Sequence, residues 1–353
     1  MPADQLLEQL LTIVQREGAS DLHLLPGRQP MIRSRTELLP LANMEIVTSE
    51  QTKAILAQMI TQKQFDDFTE KFELDFSYKF QGNLRFRGNA YVQDGQVSIA
   101  MRAIGKVRPF DELNLPPILK DFTMKKQGFF LVVGPVGQGK STTLAAMVDH
   151  INQTRRENIV TIEQPIEYIF EDKNSVISQR SVGVDTHSFE DALHSVFRQD
   201  VNVIMVGEMR SLETIGTAVT AAETGHLVFS TLHTNNAAQT VDRIIDSFPS
   251  TQQDQIRTQL AGSLLGIFSQ RLIPTVSGSL MPAYEILIKN NAVANLIREK
   301  RTHEIDTVIE TGHGEGMISM NQSLMGLVRA GHITVDTAKQ FSLNPKGFER
   351  MVS

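Results

Sequence analysis

The chain has 353 residues, no cysteine and a formal net charge of −6 at pH 7. That balance argues against a global attraction to nucleic-acid phosphates or an anionic lipid surface, and the missing thiols exclude disulfides and thiolate metal sites. Hydrophobic residues at 41% and charged residues at 21% fit a soluble globular protein, and at about 150 residues per domain the length predicts two domains with room for a small third.

The opening MPADQLLEQLLTIV carries acidic residues and no basic start, so it does not read as a signal peptide. The apolar runs, such as Phe129 to Val133, fall far short of the roughly 20 residues of a membrane helix. Leu6, Leu10, Ile13 and Val14 share a helical face that ends at Gly18, and a strand is predicted from Asp21 to Leu25. Thr48 and Gln51 form a capping box for a second helix, expected to run to about Phe68. Leu74, Phe76, Tyr78 and Phe80 alternate as a half-buried strand. LRFRGNAYV and VSIAMRAI then flank Gln93-Asp94-Gly95-Gln96, a strong hairpin signal. The first domain is therefore expected to be α+β with an antiparallel sheet, over residues 1–104.

Prolines within KVRPFDELNLPP mark a linker at 105–117, with the second domain over 118–353. There, apolar runs at Phe129 to Val133, Ile159 to Ile162, Val203 to Val206 and Leu227 to Phe229 alternate with helices starting near Lys140, Ser188 and Ser211. This rhythm predicts an α/β fold with a parallel sheet. From about Thr251 the chain reads mostly helical, with one short strand near Tyr284 to Leu287 and a helical subdomain from about 290 to 353.

Gly134-Pro-Val-Gly137-Gln138-Gly139-Lys140-Ser141 fits the phosphate-loop pattern G-x-x-x-x-G-K-[ST], between an apolar strand and a helix as the motif requires. Backbone N–H groups around the glycines and the helix N-terminus surround phosphate oxygens, Lys140 supplies a mobile charge, and Ser141, followed by Thr142, offers a hydroxyl to Mg²⁺. A glycine-rich turn that binds nothing is the bland reading, and the full match in context disfavours it.

Val203 to Val206 ends in Gly207-Glu208, where P-loop enzymes place a carboxylate for Mg²⁺ and water; a Glu there favours action through water over direct metal contact. Glu163 ends another strand at the same sheet edge and is a candidate to orient or deprotonate water. His233, after the Leu227 strand, is placed to report a γ-phosphate, whereas His226 at the strand's other end reads as structural or as a subunit contact. Each has a bland alternative: a surface acid, a loop acid, a hydrogen-bonded histidine.

If Asp94 and Gly95 form the hairpin turn, Arg87 lies directly opposite Arg102. Like charges so placed repel, so the pair is a candidate to receive phosphate, coupling the first domain to hydrolysis. The alternative is that both splay into water or pair with carboxylates.

GPVGQGKSTTLAAM, NIVTIEQPIEY, the run from Val203 to Pro249, AVANLIRE, GASDLHL and RFRGNAY together resemble the PilT family of type IV pilus retraction ATPases, within the type II/IV secretion ATPases. The resemblance covers nearly the whole chain. It implies a PAS-like N-terminal domain joined to a RecA-like ATPase domain, assembled as a homohexamer that hydrolyses ATP with Mg²⁺ and drives pilus retraction and twitching motility. Residues 134–141, with the Walker A lysine Lys140 and with Ser141, would bind phosphate and Mg²⁺, Glu208 and Glu163 would act on water and metal, and His233 would sense the γ-phosphate. Arg87 and Arg102 match the family's N-terminal-domain arginines that reach nucleotide.

Expected partners are the pilus inner-membrane platform protein and a paralogous pilus ATPase, with no nucleic acid. The expected location is cytoplasmic, peripheral at the inner membrane through a partner. Gln164 stands where the family usually has Asp, and Ala294 where its A-I-R-N-L-I-R-E segment has Arg. The absence of the tetracysteine zinc motif of extension and secretion ATPases favours the retraction side. Two alternatives stand beside this reading: an accessory PilU-like ring subunit with weak turnover, and a secretion or nucleic-acid translocation ATPase.

Overall fold

The computed structural model describes residues 2–34, 37–81 and 84–352. Two compact units result: Met1–Lys106 with Pro165–Ile169, and Val107–Gln164 with Phe170–Ser353.

The first unit is built on strands β1 (Asp21–Leu24), β2 (Met31–Ser34), β3 (Glu37–Pro40), β4 (Glu73–Phe80), β5 (Leu84–Gln93) and β6 (Gln96–Ile104). They form one antiparallel sheet in the order β3-β2-β1-β6-β5-β4. Leu10, Leu11 and Val14 of helix Ala3–Glu17 and Ile55 and Leu56 of helix Ser49–Met59 bury against Leu22, Phe76, Phe86, Ile99 and Met101 from the sheet. Asp94 and Gly95 take φ values of 50° and 72°, the paired left-handed conformations of a two-residue hairpin turn. Gln93 consequently faces Gln96, and Arg87 faces Arg102, as expected from the turn.

One expectation here is corrected. The helix opened by Thr48 does not continue to Phe68: Ile60 turns extended, and Thr61 with Gln64 makes a second capping box that opens a separate helix, Gln62–Lys71. The apolar positions of the second helix, Phe65 and Phe68, fall on the side opposite Ile55, Leu56 and Met59 of the first, so one continuous helix would not bury both sets on a single face.

The second unit carries β7 (Gly128–Val133), β8 (Asn158–Glu163), β9 (Val176–Ser181), β10 (Val203–Val206), β11 (Leu227–Leu232), β12 (Leu264–Pro274) and β13 (Leu280–Ile288). Their order is β13-β12-β7-β11-β10-β8-β9, parallel except for the β12–β13 hairpin. Every residue of β7, β10 and β11 is buried, as strands covered on both faces must be. This is an α/β, RecA-like sheet. Beyond it, helices Met320–Arg329, Val335–Phe341 and Pro345–Val352 gather Leu324, Met325, Ala338 and Phe348 against Ile273 and Ala283 of the hairpin.

The expectation that the chain turns mostly helical after Thr251 is corrected as well. Helix Ser250–Ser263 passes directly into the 11-residue β12, and the short strand expected near Tyr284 is the nine-residue β13. In LLGIFSQRLIP the apolar residues fit a helical stripe as well as a strand. Pairing with β7 on one side and β13 on the other decides the matter, and neither partner is local.

Candidate functional site

Sheet order brings the candidate residues of the second unit together. Parallel strands end at a common edge, so the segments that follow β7, β11, β10 and β8 lie side by side in that order. The first three segments carry the glycine-rich loop, His233 and Glu208, and Glu163 is the last residue of β8 itself.

The loop after β7 leads into helix Lys140–Thr154, with Gly139 at the N-cap in a left-handed conformation (φ 78°) and Ser141 and Thr142 in the first turn. Gly134 has φ 148°, and a Cβ there would lie 2.4 Å from the carbonyl oxygen of Gln270. No side chain fits at that position. The Lys140 ammonium is buried and donates to the carbonyl oxygens of Gly134 and Pro135, both at 2.8 Å. It also lies 3.3 Å from His233 Nδ1.

That contact defines the histidine's state. An ammonium has no lone pair, so Nδ1 accepts and the ring proton sits on Nε2. Burial and the neighbouring Lys140 hold the His233 pKa below its ordinary value against the opposing pull of Glu208, which keeps the ring neutral at pH 7. Its Nε2 lies 3.9 Å from Glu208 Oε2, while Arg210 binds Glu208 Oε1 at 2.7 Å. Lys140, His233 and Glu208 therefore form a line across three strand ends.

Glu163 is buried and accepts from Thr161 Oγ1 at 2.7 Å, with Gln179 Nε2 at 3.5 Å from the same oxygen. Thr161 and Gln179 are register partners across β8 and β9, so the edge strand helps to hold the acid. The two carboxylates thus have different neighbours: Glu208 meets the Arg210 guanidinium and the neutral His233 ring, and Glu163 accepts from Thr161 and Gln179.

Among the described residues, no group of three or more His, Asp or Glu side chains is arranged to hold a metal by protein ligands alone. Such a cage is not what Mg²⁺ needs beside phosphates, where one or two oxygen ligands and water suffice. Ser141 at the helix start and Glu208 at the end of β10 fit that requirement, and the shape at Gly134 together with Lys140 fits a phosphate cradle.

Arg87 and Arg102 lie in the first unit, in a row that crosses its sheet. Arg33, Asp21, Arg102, Arg87 and Ser77 are successive register partners, so their side chains share one face. Asp21 binds Arg102 at 2.7 Å and Arg33 at 3.7 Å; Arg87 lies 3.8 Å from Glu167 of the 165–169 segment. Burial alone would raise the Asp21 pKa, but the Ser20 hydroxyl and Arg102 bring it below the ordinary value. Both arginines of the candidate pair remain substantially exposed, Arg102 at 70% and Arg87 at 45%.

Sequence reasoning missed Gln270, Gln179 and Arg210, whose importance lies in what they touch. It also missed Glu285, a buried acid on β13 that accepts the backbone N–H of Ala237 at 2.9 Å, directly after the His233 loop. Burial pushes its pKa up to about 7, with the Ala237 N–H opposing and Asp306 adding to the rise. A raised carboxyl pKa means that the folded state holds a proton the unfolded chain has released. Stability from this group is therefore present below about pH 4.5 and lost as pH rises to about 7, a change of about 3 kcal/mol. Glu285→Gln keeps the acceptor and removes the titration. Urea unfolding at pH 5 and pH 8 should show the parent losing stability relative to this variant; equal losses in both would refute the assignment.

The strand, loop and helix, with acids at the neighbouring strand ends, define a P-loop nucleotide-binding domain. Residues 1–322 match the family model described as "Type II/IV secretion system protein", and the chain belongs to that family. The chain is 42% identical to the type IV pilus retraction ATPase PilT of Pseudomonas aeruginosa, over 97% of this chain and 99% of that protein. It is 38% identical to the type IV pilus ATPase PilU of the same organism, over 94% and 87%. A crystal structure of the pilus retraction motor PilT with bound ADP superposes with a TM-score of 0.91 at 42% identity, covering 98% of this chain and 99% of that one.

Proposed function

We propose that this chain is an ATP-hydrolysing motor that retracts type IV pili, working as a homohexamer in the cytoplasm against an inner-membrane platform protein. The observation that carries the reading is the line from Lys140 through His233 to Glu208 at the mouth of a phosphate loop. Lys140 satisfies its charge on the loop's own carbonyls and on His233, contacts that an incoming γ-phosphate replaces. Released from the lysine, His233 then donates its Nε2 proton to a γ-phosphate oxygen, and Glu208 registers the change by losing that neighbour.

Glu208 and Glu163, on adjacent strands, orient water for attack on the γ-phosphorus and accept its proton. Ser141 would hold Mg²⁺, whose charge would offset that of the phosphate oxygens. Arg87 and Arg102 reach the transferred phosphoryl group when the ring brings a first unit to a nucleotide, and they tie domain position to hydrolysis. No helix among the described residues is long and apolar enough to cross a membrane, in keeping with docking through a partner.

The likeness to PilU favours a second reading, an accessory ring with weak turnover. Expression in a strain lacking its own retraction ATPase separates the two. Restored retraction, abolished by Lys140→Ala, supports the motor; rescue only of a strain lacking the accessory paralogue supports the second reading.

A further inference from the structure

We infer that Gln270, on β12, is a positioning residue for the phosphate loop, fixing the direction of the Gly139 N–H. The inference rests on the reading that residues 134–141 hold nucleotide phosphates. Ser269 pairs with Val133, so Gln270 stands level with Gly134, where the loop leaves the sheet. Its side chain is almost wholly buried, at 3% exposure.

Both ends of the amide are committed. Nε2 donates to the main-chain oxygen of Gln138 at 2.8 Å, and Oε1 accepts from Thr143 Oγ1 at 2.6 Å. The assignment of nitrogen and oxygen follows from chemistry, since a carbonyl only accepts and must face the NH₂. One side chain thereby ties the loop's tip to the first turn of the helix that follows it. Leu272, two residues on, donates its N–H to Gln138 Oε1 at 2.7 Å, so residue 138 is held to β12 by backbone and side chain alike.

The consequence lies in the next peptide. A trans peptide is planar, and its C=O and N–H point in opposite directions. With the Gln138 oxygen drawn onto β12, the N–H of Gly139 points away from β12. A phosphate loop binds through N–H groups aimed in advance at oxygens, and a peptide free to flip would turn a carbonyl toward the anion instead. The approach is close enough that a Cβ at Gly139 would lie 2.9 Å from Gln270 Nε2, so glycine is required there by the brace as well as by its left-handed backbone.

The test is ADP affinity, titrated with Mg²⁺ by calorimetry on the full-length chain. Gln270→Met keeps the volume and removes both hydrogen bonds; ADP should bind about tenfold more weakly, the effect of one strong hydrogen bond lost at the phosphate. Thr143→Val alone should cost less, and the double variant should bind no worse than Gln270→Met, because the hydroxyl acts through the amide. Gln270→Glu, which sets a carboxylate against the Gln138 carbonyl, gives the same reading should the Met variant fail to fold. A residue that only stabilised the fold would lower the melting temperature and leave affinity in the folded protein unchanged. Parent-like ADP affinity in folded Gln270→Met and Gln270→Glu therefore overturns the inference while leaving the nucleotide site intact. A parent that binds no ADP overturns both.

Discussion

Replacing Arg102 or Arg87 by alanine is expected to lower steady-state ATP turnover about 10³-fold while ADP binding changes little, the signature of a group that acts on the transferred phosphoryl. The sheet holds two guanidiniums directly opposite each other, an arrangement that costs stability unless anions compensate it. Asp21 and Glu167 supply that compensation. The Arg87–Glu167 pair is exposed on both sides and worth at most about 1 kcal/mol, so Arg87 is released to a phosphate at small cost, whereas release of Arg102 leaves the buried Asp21 to Ser20 and Arg33. Arg102→Lys keeps the charge but loses the planar fork, and should recover only part of the activity. Lys53→Ala, on an exposed helix face of the same unit, serves as the control. Turnover in Arg87→Ala and Arg102→Ala within threefold of that control would mean that the row is a structural ion-pair array and nothing more.

Glu208→Gln is the second large effect. The amide copies the shape of the carboxylate and its contact with Arg210, but it does not accept a proton from water. A positioned base contributes on the order of 10²-fold to 10⁴-fold to rate, so turnover should fall at least about 100-fold with ATP binding retained. Single-turnover mixing with radiolabelled ATP separates binding from cleavage in this variant. Parent-like cleavage would transfer the base role to Glu163, which sits one strand away and accepts from Thr161 and Gln179.

The parts of this account that were legible in the sequence are those set by local chemistry. Asp94-Gly95 dictates a two-residue turn, the turn dictates register, and register alone placed Arg87 against Arg102. The phosphate loop was likewise complete within eight residues, and the strand-end positions of Glu163, Glu208 and His233 followed from apolar runs and where they stop. What escaped notice depends on partners distant in the chain. β12 looked helical because LLGIFSQRLIP satisfies both periods, and its strand character comes from β7, more than a hundred residues earlier. With β12 misread, Gln270 had no neighbours and no evident task. Gln179 was invisible for a similar reason, since the edge strand β9 that carries it has a mixed pattern of exposure. Glu285 was one acid in an apolar strand until the N-terminus of helix Ala237–Asp246 came to rest on it.

Steady-state release of phosphate from Mg-ATP by the purified full-length chain, set beside Lys140→Ala, tests the central claim most directly. Lys140 is the only side chain of the loop that brings a positive charge to the phosphates, and its loss should reduce turnover at least about 100-fold with the fold intact. Turnover in the parent that disappears in the variant is the result predicted here. A parent without turnover, or a variant that hydrolyses ATP at the parent's rate, would contradict the assignment of this chain as an ATP-driven motor.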